Sequence, residues 1–474
     1  MSTLTRLTEF REKLTSLPSK GSGAGEQHFR VVHSSGGAAG AKSITSEGMG
    51  YGLLIAGVAV ASQPESSAGW RAALTFGEEL FAGWRRMCEL STGTCQDDPH
   101  QWCGGRLKRD GPGAKGFASC LPSWLFDDAL RAQAASGSAA DGDEDALLGL
   151  VLLTQSTSPK LWPLHEQTLA WTYESLRAFL RYDTSLRTDA RGRRVPRLGS
   201  CWGGFDCNNP SYVAPGHYRA FRSFMLRHGP SLGVSEAQAE MESKKWDALI
   251  EGAYALLDDA QCDSTGLVPN WWQPSGPDRT VGQPGCNASG TAAAEFGAEA
   301  ARATWRVVLD ALWSGSAEAS KYAARVTRQL ASRHDETAPD FAGFRGLEVD
   351  PRCPAVQSVH PDWYWNAFIY GPLSTALLLP LPASSSNAER HKQQQALDLL
   401  AERAAAAPLA SYYAGAWLSI TTLTLNGDLS RACSKVFDGE LGGVSTCPGD
   451  KRLVPASFAK RKDSHRRAGA DIED

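Results

Sequence analysis

Two kinds of helical segment alternate along this chain, and the alternation limits the folds that the chain can adopt. Patterns typical of strands are scarce, whereas helical periodicity recurs from one end to the other. The first kind is amphipathic with one charged face, and it is predicted over 70–89, 164–181, 236–259, 317–334 and 389–406. The second kind is apolar on nearly every side, and it is predicted over 48–61, 145–154, 294–313, 366–379 and 415–425.

This alternation predicts an all-α fold with two concentric layers of helices. The apolar helices would form an inner ring, and the amphipathic helices would cover that ring with their charged faces outward. A closed (α/α)6 barrel, a toroid of about six helical hairpins, satisfies both demands. An open α-solenoid is the alternative, but the chain has no fixed repeat period.

We expect one barrel domain over residues 1–435 and a C-terminal extension over 436–474. After Cys447 the extension is rich in lysine and arginine. Such a charge run is typical of a solvated, partly disordered tail, and a polyanion-binding segment is the alternative.

Composition narrows the classes of function. Of the 474 residues, 42% are hydrophobic and 21% charged, as in a folded, water-soluble protein. A net charge of −4 gives no reason to expect nucleic acid as a partner. No apolar run approaches the roughly 20 residues of a membrane span, so we expect no membrane partner. The first residues, MSTLTRLTEFREKL, also lack the apolar core of a signal peptide.

Eleven cysteines bear on the cell compartment and on metals. Ten form neighbouring couples, which we expect to be disulfides that staple the loops. The couples are 88 with 95, 103 with 120, 201 with 207, 262 with 286, and 433 with 447, and Cys353 is left over. Disulfides predict a secreted, extracellular protein, with reduced thiols in a cytoplasmic enzyme as the alternative. Because no CxxC pair occurs, we expect no metal site.

Tryptophans recur in three long insertions, 88–124, 188–215 and 266–290, which also carry glycine, proline and cysteine. Long loops in a compact domain are more often functional than accidental. Loop tryptophans suit the lining of a groove because their broad faces stack on flat apolar surfaces such as sugar rings, although some must belong to the core. The candidates for substrate contacts are Trp102, Trp124, Trp202 and Trp271.

The segment SITSEGMGYGLLIAG, residues 43–57, places one glutamate at the start of an otherwise small, apolar helix. Glu47 can be interpreted as a stabilising residue: Ser43, Thr45 or Ser46 would cap the helix, and the carboxylate would complement the positive end of its dipole. It can also be interpreted as a functional acid, since its side chain would face whatever lies beyond that end of the helix.

Acidic residues recur at the starts of other apolar helices. AADGDEDALLGL, residues 139–150, contains Asp141 and Asp143, and FGAEAARATWR, residues 296–306, contains Glu299. In a closed ring the starts of the inner helices gather at one face, so these carboxylates would meet there. Hydrolysis of a glycosidic bond requires two such groups, one protonated and one ionised. An acid-rich helix start or a calcium loop is the simpler alternative for 139–150, although the spacing of an EF-hand is absent.

Five segments, in order along the chain, resemble glycoside hydrolase family 8. SEGMGYGLLIA resembles the family's SEG-x-x-YGM segment, AADGDEDAL its A-[ST]-D-[AG]-D segment, and Asn209 to Tyr212 its NPSY segment. GLVPNW resembles GL-x-PDW, with Asn270 where an aspartate is usual, and AEAARATWR resembles YDA-x-R-x-PWR. The likeness covers roughly 43–427, and five matches in order make chance a poor explanation.

The resemblance implies an inverting glycoside hydrolase on an (α/α)6 barrel, with no metal or organic cofactor. Glu47 would be the general acid, and Asp141 would bind the sugar at the cleavage subsite. Tyr212 would reach the region of the catalytic water. Asp143 and Tyr51, which lie in the same motifs, join the candidates for substrate binding.

The segment of the family's general base departs from the pattern, because Glu299 stands where the aspartate is usual. A glutamate is chemically able to act as the base, but its extra methylene displaces the carboxylate. The loop acids Asp206 and Asp278 are the next candidates, and a chain without a base is the last possibility. Arg302 would either orient Glu299 by a charge pair and line the substrate site, or only stabilise the helix.

The resemblance also implies a polysaccharide as the partner. Members of the family cut β-1,4-glucan, mixed-linkage glucan, xylan or chitosan. We expect a monomer that makes an endo-cut in β-1,4-glucan, with xylan as the second candidate substrate. Chitosan is less favoured, because the loops lack the excess of acids that its amino groups would require. A carbohydrate-binding protein on a decayed hydrolase scaffold is the alternative from a different class, motivated by the altered base segment.

Overall fold

The computed structural model describes most of the chain, with gaps that fall mainly in the insertions and the C-terminal extension. The described residues are 1–17, 29–34, 43–91, 105–108, 117–274, 286, 293–334, 347–353, 355–360, 366–437, 447 and 453–455. For 105–108 and 117–120 only the backbone is described. Trp102, Asp278 and nearly all of the predicted extension 436–474 therefore lie outside the described residues.

Helices dominate the described part of the chain. They are α1 (Thr3–Leu14), α2 (Ser46–Ser62), α3 (Ala68–Leu90), α4 (Ala140–Gln155), α5 (His165–Tyr182), α6 (Pro215–His228), α7 (Glu236–Ala260), α8 (Ala298–Ser314), α9 (Ala317–Arg333), α10 (Tyr370–Ser374), α11 (Asn387–Ala406), α12 (Tyr412–Leu425) and α13 (Asp428–Val436). Short 3-10 turns cover Pro210–Tyr212, Pro230–Leu232 and Thr375–Leu378, the last of which continues α10.

The even-numbered helices form a closed ring. Each inner helix contacts the next one, in the order α2, α4, α6, α8, α10 and α12, and α12 contacts α2 to close the ring. Outside the ring, α3, α5, α7, α9 and α11 each pack on the inner helix that precedes them, and α1 packs on α12 beside α2. The prediction of an all-α (α/α)6 barrel is confirmed.

The inner helices α2 and α4 are buried on all sides because the ring encloses them. Every residue of α2 from Gly48 to Ala61 is buried, and so is every residue of α4 from Ala140 to Thr154. The outer helices instead carry a buried stripe and a wet face, as α3 and α9 do. The alternation in the sequence therefore records the two layers.

One inner helix, α6, was not among the predicted ones. Its sequence, PGHYRAFRSFMLRH, carries histidine and arginine where an inner helix should be apolar. The structure shows why these residues are tolerated: His217 is fully buried against Asp145, at 2.9 Å, and Arg219 pairs with Asp310 at 2.8 Å. Paired polar side chains thus replaced the apolar signal that the prediction relied on.

Glycines let α2 and α4 pack with their backbones in contact. A Cβ atom on Gly50 would lie 2.4 Å from the carbonyl oxygen of Gly142, and one on Gly149 would lie 2.4 Å from that of Leu53. A Cβ atom on Gly142 would lie 2.6 Å from the amide nitrogen of Glu47. This close approach brings the first turns of both helices, with Glu47 and Asp141, side by side.

Helix α13 covers the opposite end of the ring. It contacts α2, α4, α6, α8 and α12, and the indole of Trp313 near the end of α8 donates to the carbonyl of Leu429 at 2.8 Å. The end of the ring where the inner helices start is left to the loops and short strands.

Short strands fix the entries to the inner helices. They are β1 (Thr15–Ser16), β2 (Val31–Val32), β3 (Ser43–Thr45), β4 (Gly105–Lys108), β5 (Phe117–Leu121), β6 (Leu125–Asp127), β7 (Gln133–Ala135), β8 (Glu295–Phe296) and β9 (Ser358–Val359). The antiparallel sheet β3–β6–β7 ends where α2 begins, and the parallel pair β8–β9 lies just before α8.

Disulfides join distant loops more than neighbouring cysteines. The pair Cys433–Cys447 is confirmed, but Cys207 pairs with Cys286 and Cys262 with Cys353. The predicted couples 201 with 207 and 262 with 286 are therefore wrong, and Cys353 is not left over.

For Cys207 and Cys286, the reason is that two of the insertions contact each other. Asn208 and Trp272 form a β-bridge, which brings the loop of Cys207 to the loop of Cys286. Cys88 and Cys201 are also disulfide-bonded, while Cys95 and Cys103 lie outside the described residues, and of Cys120 only the backbone is described.

In the described part of the chain, no helix has the length and apolarity to cross a membrane.

Candidate active site

One buried arginine binds three carboxylates at the end of the ring where the inner helices begin. Arg302, in α8, has no solvent exposure. Its Nη1 donates to Glu47 Oε1 and to Asp141 Oδ2, both at 2.6 Å, and its Nη2 donates to Glu299 Oε2. The acids of α2, α4 and α8 therefore meet, as the sequence predicted for Glu47, Asp141 and Glu299.

Glu47 lies in the first turn of α2 because Thr45 caps the helix. Thr45 Oγ1 accepts a hydrogen bond from the amide of Gly48 at 3.1 Å. The stabilising and the functional interpretations of this helix start are therefore compatible. The carboxylate oxygen Oε1 also accepts from the hydroxyl of Tyr51 at 2.8 Å, one helical turn further on, and Oε2 accepts from Tyr412.

This environment raises the pKa of Glu47 to about 7. Burial is the largest cause, since it penalises the charged form, and the charges of Asp141 and Glu299 act in the same direction. The positive charge of Arg302 and the hydrogen bond from Tyr412 oppose them. The side chain remains 21% exposed, so its proton can reach a ligand.

Two asparagines of the sequence motifs position Glu299, one through its side chain and one through the start of its helix. Asn209 Nδ2 donates to Glu299 Oε2 at 2.8 Å. Asn270 Oδ1 accepts from the amides of Gly297 and Ala300 at 3.1 and 3.0 Å, and so caps α8 from a distant loop. The amide at position 270 thus fills the capping role, and Glu299 is 39% exposed at the site.

Tyr212 lies against the same guanidinium. The Cζ atom of Arg302 is 5.4 Å from the centre of the tyrosine ring, which is a cation–π contact. Burial raises the pKa of Tyr212 well above its usual value, and the nearby acids Asp141 and Glu299 add to that effect. Its hydroxyl therefore keeps its proton at neutral pH.

Besides Arg302, two more predicted substrate-binding residues are fully buried. Tyr51 donates to Glu47 and accepts from Trp417 Nε1 at 3.1 Å, so it supports the acid from inside the ring. Asp143 packs against Asp183, and burial raises its pKa well above the usual value, followed by the charge of Asp183 and their shared hydrogen bond. Neither side chain is exposed, so contact between sugar and Tyr51 or Asp143 stays a prediction.

A second buried network lies behind the three acids. Arg306 donates to Glu144 and, at 2.8 Å, to Asp145. Tyr218 of α6 donates to Glu144 at 2.6 Å, and the imidazole of His217 lies 2.9 Å from Asp145. These fully buried groups join α4, α6 and α8, so this network fixes the position of Asp141 without facing a ligand.

The predicted loop tryptophans differ in their exposure. Trp202 is 41% exposed, on a loop whose Leu198 carbonyl accepts from the first residue of α4. Trp124 is partly buried; its carbonyl accepts from Ser46 at 3.0 Å, next to Glu47. Trp271 is also partly buried and follows the capping residue Asn270. All three lie on segments that border the starts of the inner helices.

Sequence reasoning missed the contribution of α12. Tyr412 donates to Glu47, and Tyr413 lies beside Arg302, whose Cζ is 6.0 Å from its ring centre. A signal was present, because YYAGAWLSITTLTL opens an apolar helix with two hydroxyls, as Glu47 opens α2 with a carboxylate.

The alternative bases, Asp206 and Asp278, belong to two of the insertions. Asp206 is exposed on its loop, and Asp278 lies outside the described residues. Glu299 is the acid that the structure brings to Glu47 and Asp141. No group of three or more His, Cys, Asp or Glu side chains with the geometry of a metal site occurs among the residues described.

A model of the glycosyl hydrolases family 8 matches residues 97–339. The matched region contains Asp141, Tyr212, Glu299 and Arg302, and Glu47 precedes it. The chain is also 28% identical over 288 residues to "Endoglucanase 2" of Ruminiclostridium josui, which covers 58% of this chain and 45% of that protein. A match to "Endoglucanase A" of Acetivibrio thermocellus is 23% identical and covers 64% and 49%. The chain thus spans about half the length of these curated relatives.

Two solved structures share the fold at low identity. A β-1,3-1,4-glucanase from Paenibacillus sp. X4, in its apo form, superposes with a TM-score of 0.61 at 14% identity, over 89% of this chain and 90% of that one. Rex8A from Paenibacillus barcinonensis, complexed with xylose, superposes with a TM-score of 0.56 at 16% identity, over 90% and 93%. These likenesses support the barrel architecture.

Proposed function

Because this chain belongs to the glycosyl hydrolases family 8, we propose that it is an endo-acting glycoside hydrolase that cleaves β-1,4-glucan with inversion. The observation that carries the proposal is the meeting of Glu47, Asp141 and Glu299 on the buried guanidinium of Arg302. Acid–base hydrolysis of a glycosidic bond needs carboxyl groups in different protonation states around one linkage.

Glu47 acts as the general acid. With a pKa of about 7, Glu47 is protonated in a large fraction of the protein molecules near neutral pH, unlike an exposed glutamate. The proton passes to the glycosidic oxygen as the bond to the anomeric carbon breaks, and the leaving sugar departs as an alcohol.

Glu299 acts as the general base. It contacts Nη2 of Arg302, whereas Glu47 contacts Nη1, so the two carboxylates bind different nitrogens of one guanidinium. An inverting mechanism requires a gap between the acid and the base, because a water molecule must fit between the base and the sugar ring. Glu299 takes a proton from that water while the oxygen attacks the anomeric carbon from the face opposite the leaving group.

Asp141 and Tyr212 act on the sugar and on the water. Asp141 accepts from the amide of Gly142 at 2.9 Å and from Arg302, which orient its carboxyl group to accept hydrogen bonds from sugar hydroxyls. Tyr212, with its proton retained, donates to the attacking water. Trp124, Trp202 and Trp271 form stacking subsites for neighbouring sugars.

The names of the similar proteins favour glucan as the substrate. The curated relatives are endoglucanases, and one structural neighbour is a β-1,3-1,4-glucanase, while another is complexed with xylose. Xylan is therefore the second substrate to assay. We also propose that the protein is exported, since disulfides between its loops are stable in an oxidising compartment.

The general acid is tested with Glu47→Gln, which preserves the shape of the side chain and removes its proton. We expect kcat for reducing-sugar release from carboxymethylcellulose to fall about 10²- to 10⁴-fold. Glu89→Gln, on the outer helix α3, is the control and should keep the wild-type rate. Wild-type turnover in Glu47→Gln would contradict the assignment, and binding without turnover in the unmodified protein would favour a decayed hydrolase.

The base is tested with Glu299→Ala in the presence and absence of azide. Azide is a small nucleophile that fits the vacated space, so it should restore the rate and give a glycosyl azide of inverted configuration. Asp206→Ala is the matched control for a loop acid. If Asp206→Ala abolished turnover while Glu299→Ala retained it, the base would lie on the loop.

A further inference from the structure

The hydrogen bonds around Tyr51 fix which oxygen of Glu47 carries the acidic proton. The Tyr51 oxygen lies 3.1 Å from Trp417 Nε1 and 3.3 Å from Arg302 Nη1. Both partners are donors only, so Tyr51 must accept from them and direct its own proton to Glu47 Oε1. Oε1 also accepts from Arg302 Nη1, which leaves no place for a proton on that oxygen.

The proton of Glu47 must therefore lie on Oε2, and the structure gives that oxygen one partner among the residues it describes. The hydroxyl of Tyr412 donates to Oε2 when Glu47 is ionised. When Glu47 is protonated, the same hydroxyl has to accept, and its own proton needs another acceptor. Thr45 Oγ1 lies 3.4 Å from the Tyr412 hydroxyl and has lone pairs to accept it.

The ring of Tyr412 is built into this position. It begins α12, it is almost completely buried, and it lies over the first turn of α2. A Cβ atom at position 48 would lie 2.9 Å from Cε2 of the ring, so the glycine that follows Glu47 is what admits Tyr412 to the acid.

We propose that Tyr412 is a positioning residue that holds the transferable proton of Glu47 on Oε2, donating to the carboxylate and accepting from the acid. This inference rests on the proposed function of Glu47. Substrate takes the place of Tyr412 as the acceptor: the proton moves from Oε2 to the glycosidic oxygen, and the Tyr412 hydroxyl turns back to stabilise the carboxylate that remains. No further reactant is consumed.

Other ionisable groups also face Glu47, and they remain in place when Tyr412 is changed. They are Asp141 from α4, Glu299 and Arg302 from α8, Tyr51 from α2, Tyr413 from α12, and Tyr212 from the 3-10 turn before α6. A substitution that removes only the Tyr412 hydroxyl therefore isolates one hydrogen bond to Oε2.

The experiment is Tyr412→Phe, read by the pH dependence of kcat/KM on carboxymethylcellulose. The hydrogen bond from Tyr412 stabilises ionised Glu47 and lowers its pKa, so its loss should move the alkaline limb upward by about one pH unit. On the acid side of the profile, where Glu47 is protonated in both proteins, kcat/KM should stay close to the wild-type value. Tyr173→Phe is the control: it removes a hydroxyl that donates to Glu242 at 3.1 Å between the outer helices α5 and α7, and it should leave the limb in place.

A second readout does not depend on turnover. Carbon NMR of protein labelled at the glutamate carboxyl, with the Glu47 signal assigned from Glu47→Gln, reports the titration of that group directly. An unchanged Glu47 titration in Tyr412→Phe would overturn the inference. Wild-type activity in Glu47→Gln would instead show that Glu47 is not the general acid. A shifted Glu47 titration in Tyr412→Phe would then still show that the Tyr412 hydroxyl controls the Glu47 proton, so the two failures are distinguishable.

Discussion

Arg302 and Asp141 are 161 residues apart in sequence, yet Nη1 of the arginine lies 2.6 Å from Oδ2 of the aspartate, and neither side chain is exposed by more than 4%. The same nitrogen reaches Glu47 at 2.6 Å. A single positive charge thus compensates acids from two other helices as well as Glu299 on its own helix. Without it, three neighbouring acidic groups, of which Asp141 is buried, would lose their opposing charge.

Arg302→Met should therefore destabilise the protein and disable it. Removing one partner of a buried ion pair costs about 3–5 kcal/mol, because the remaining charges lose their compensation. Denaturant unfolding measures this loss. Arg86→Met is the control: Arg86 pairs with Glu89 at 3.1 Å on the surface of α3, where about 0.2–1 kcal/mol is expected. Equal losses in the two variants would contradict a central role for Arg302.

The raised pKa of Glu47 predicts how stability depends on pH. Below about pH 4.5, Glu47 is protonated in both the folded and the unfolded chain. As the pH rises from there to about 7, the unfolded chain releases this proton while the folded chain keeps it, so the folded state loses stability. The total loss amounts to up to about 3 kcal/mol, at about 1.4 kcal/mol for each pKa unit.

Glu47→Gln cannot titrate and should escape this loss. The free energy of unfolding of Glu47→Gln, measured relative to the wild-type protein, should rise between pH 4.5 and pH 7 and then level off. Since both proteins share every other titrating group, the difference isolates Glu47. A difference that stays constant over this range would show that the pKa of Glu47 is not raised.

Asn270 links a loop motif to the turn that carries Glu299. Asn270→Ala removes two hydrogen bonds to the start of α8, at Gly297 and Ala300, and should lower the free energy of unfolding by about 0.5–2 kcal/mol. It should also lower kcat, because the first turn of α8 frays at Glu299. Ser386→Ala removes the cap of the outer helix α11, so it should cost similar stability without a change in kcat. If Asn270→Ala lost stability but kept the wild-type kcat, the cap would stabilise α8 without positioning Glu299 for catalysis.

The layered fold and the principal acids could be predicted from sequence because each leaves a local pattern. The inner helices α2 and α4 are largely apolar beyond their first two turns, and Glu47 and Asp141 stand out at their starts. The inner helix α6 left no such pattern, since its charges are neutralised by partners such as Asp145, which lies 72 residues away from His217.

The same distinction explains what the sequence did not show about the site. Tyr51 and Asp143 lie in motifs that carry ligand-binding residues, but a helix has an inner and an outer side, and a motif does not show which side a residue takes. Tyr412 could not be placed because its partner Glu47 is 365 residues away. The disulfide between two of the insertions was missed for a similar reason: Cys207 and Cys286 are 79 residues apart.

The contact between α2 and α4 is the last feature with a direct test. Gly50→Ala places a methyl group 2.4 Å from the carbonyl oxygen of Gly142, a backbone atom that cannot move alone, so the two helices must separate. We expect a loss of about 1–3 kcal/mol in the free energy of unfolding, together with a lower kcat, because Glu47 and Asp141 move apart. Gly77→Ala in α3 is the matched control, since its methyl would lie 3.0 Å from the mobile side-chain ends of Leu153. If Gly50→Ala proved as stable and as active as Gly77→Ala, the alignment of the acids would not depend on backbone contact between these helices.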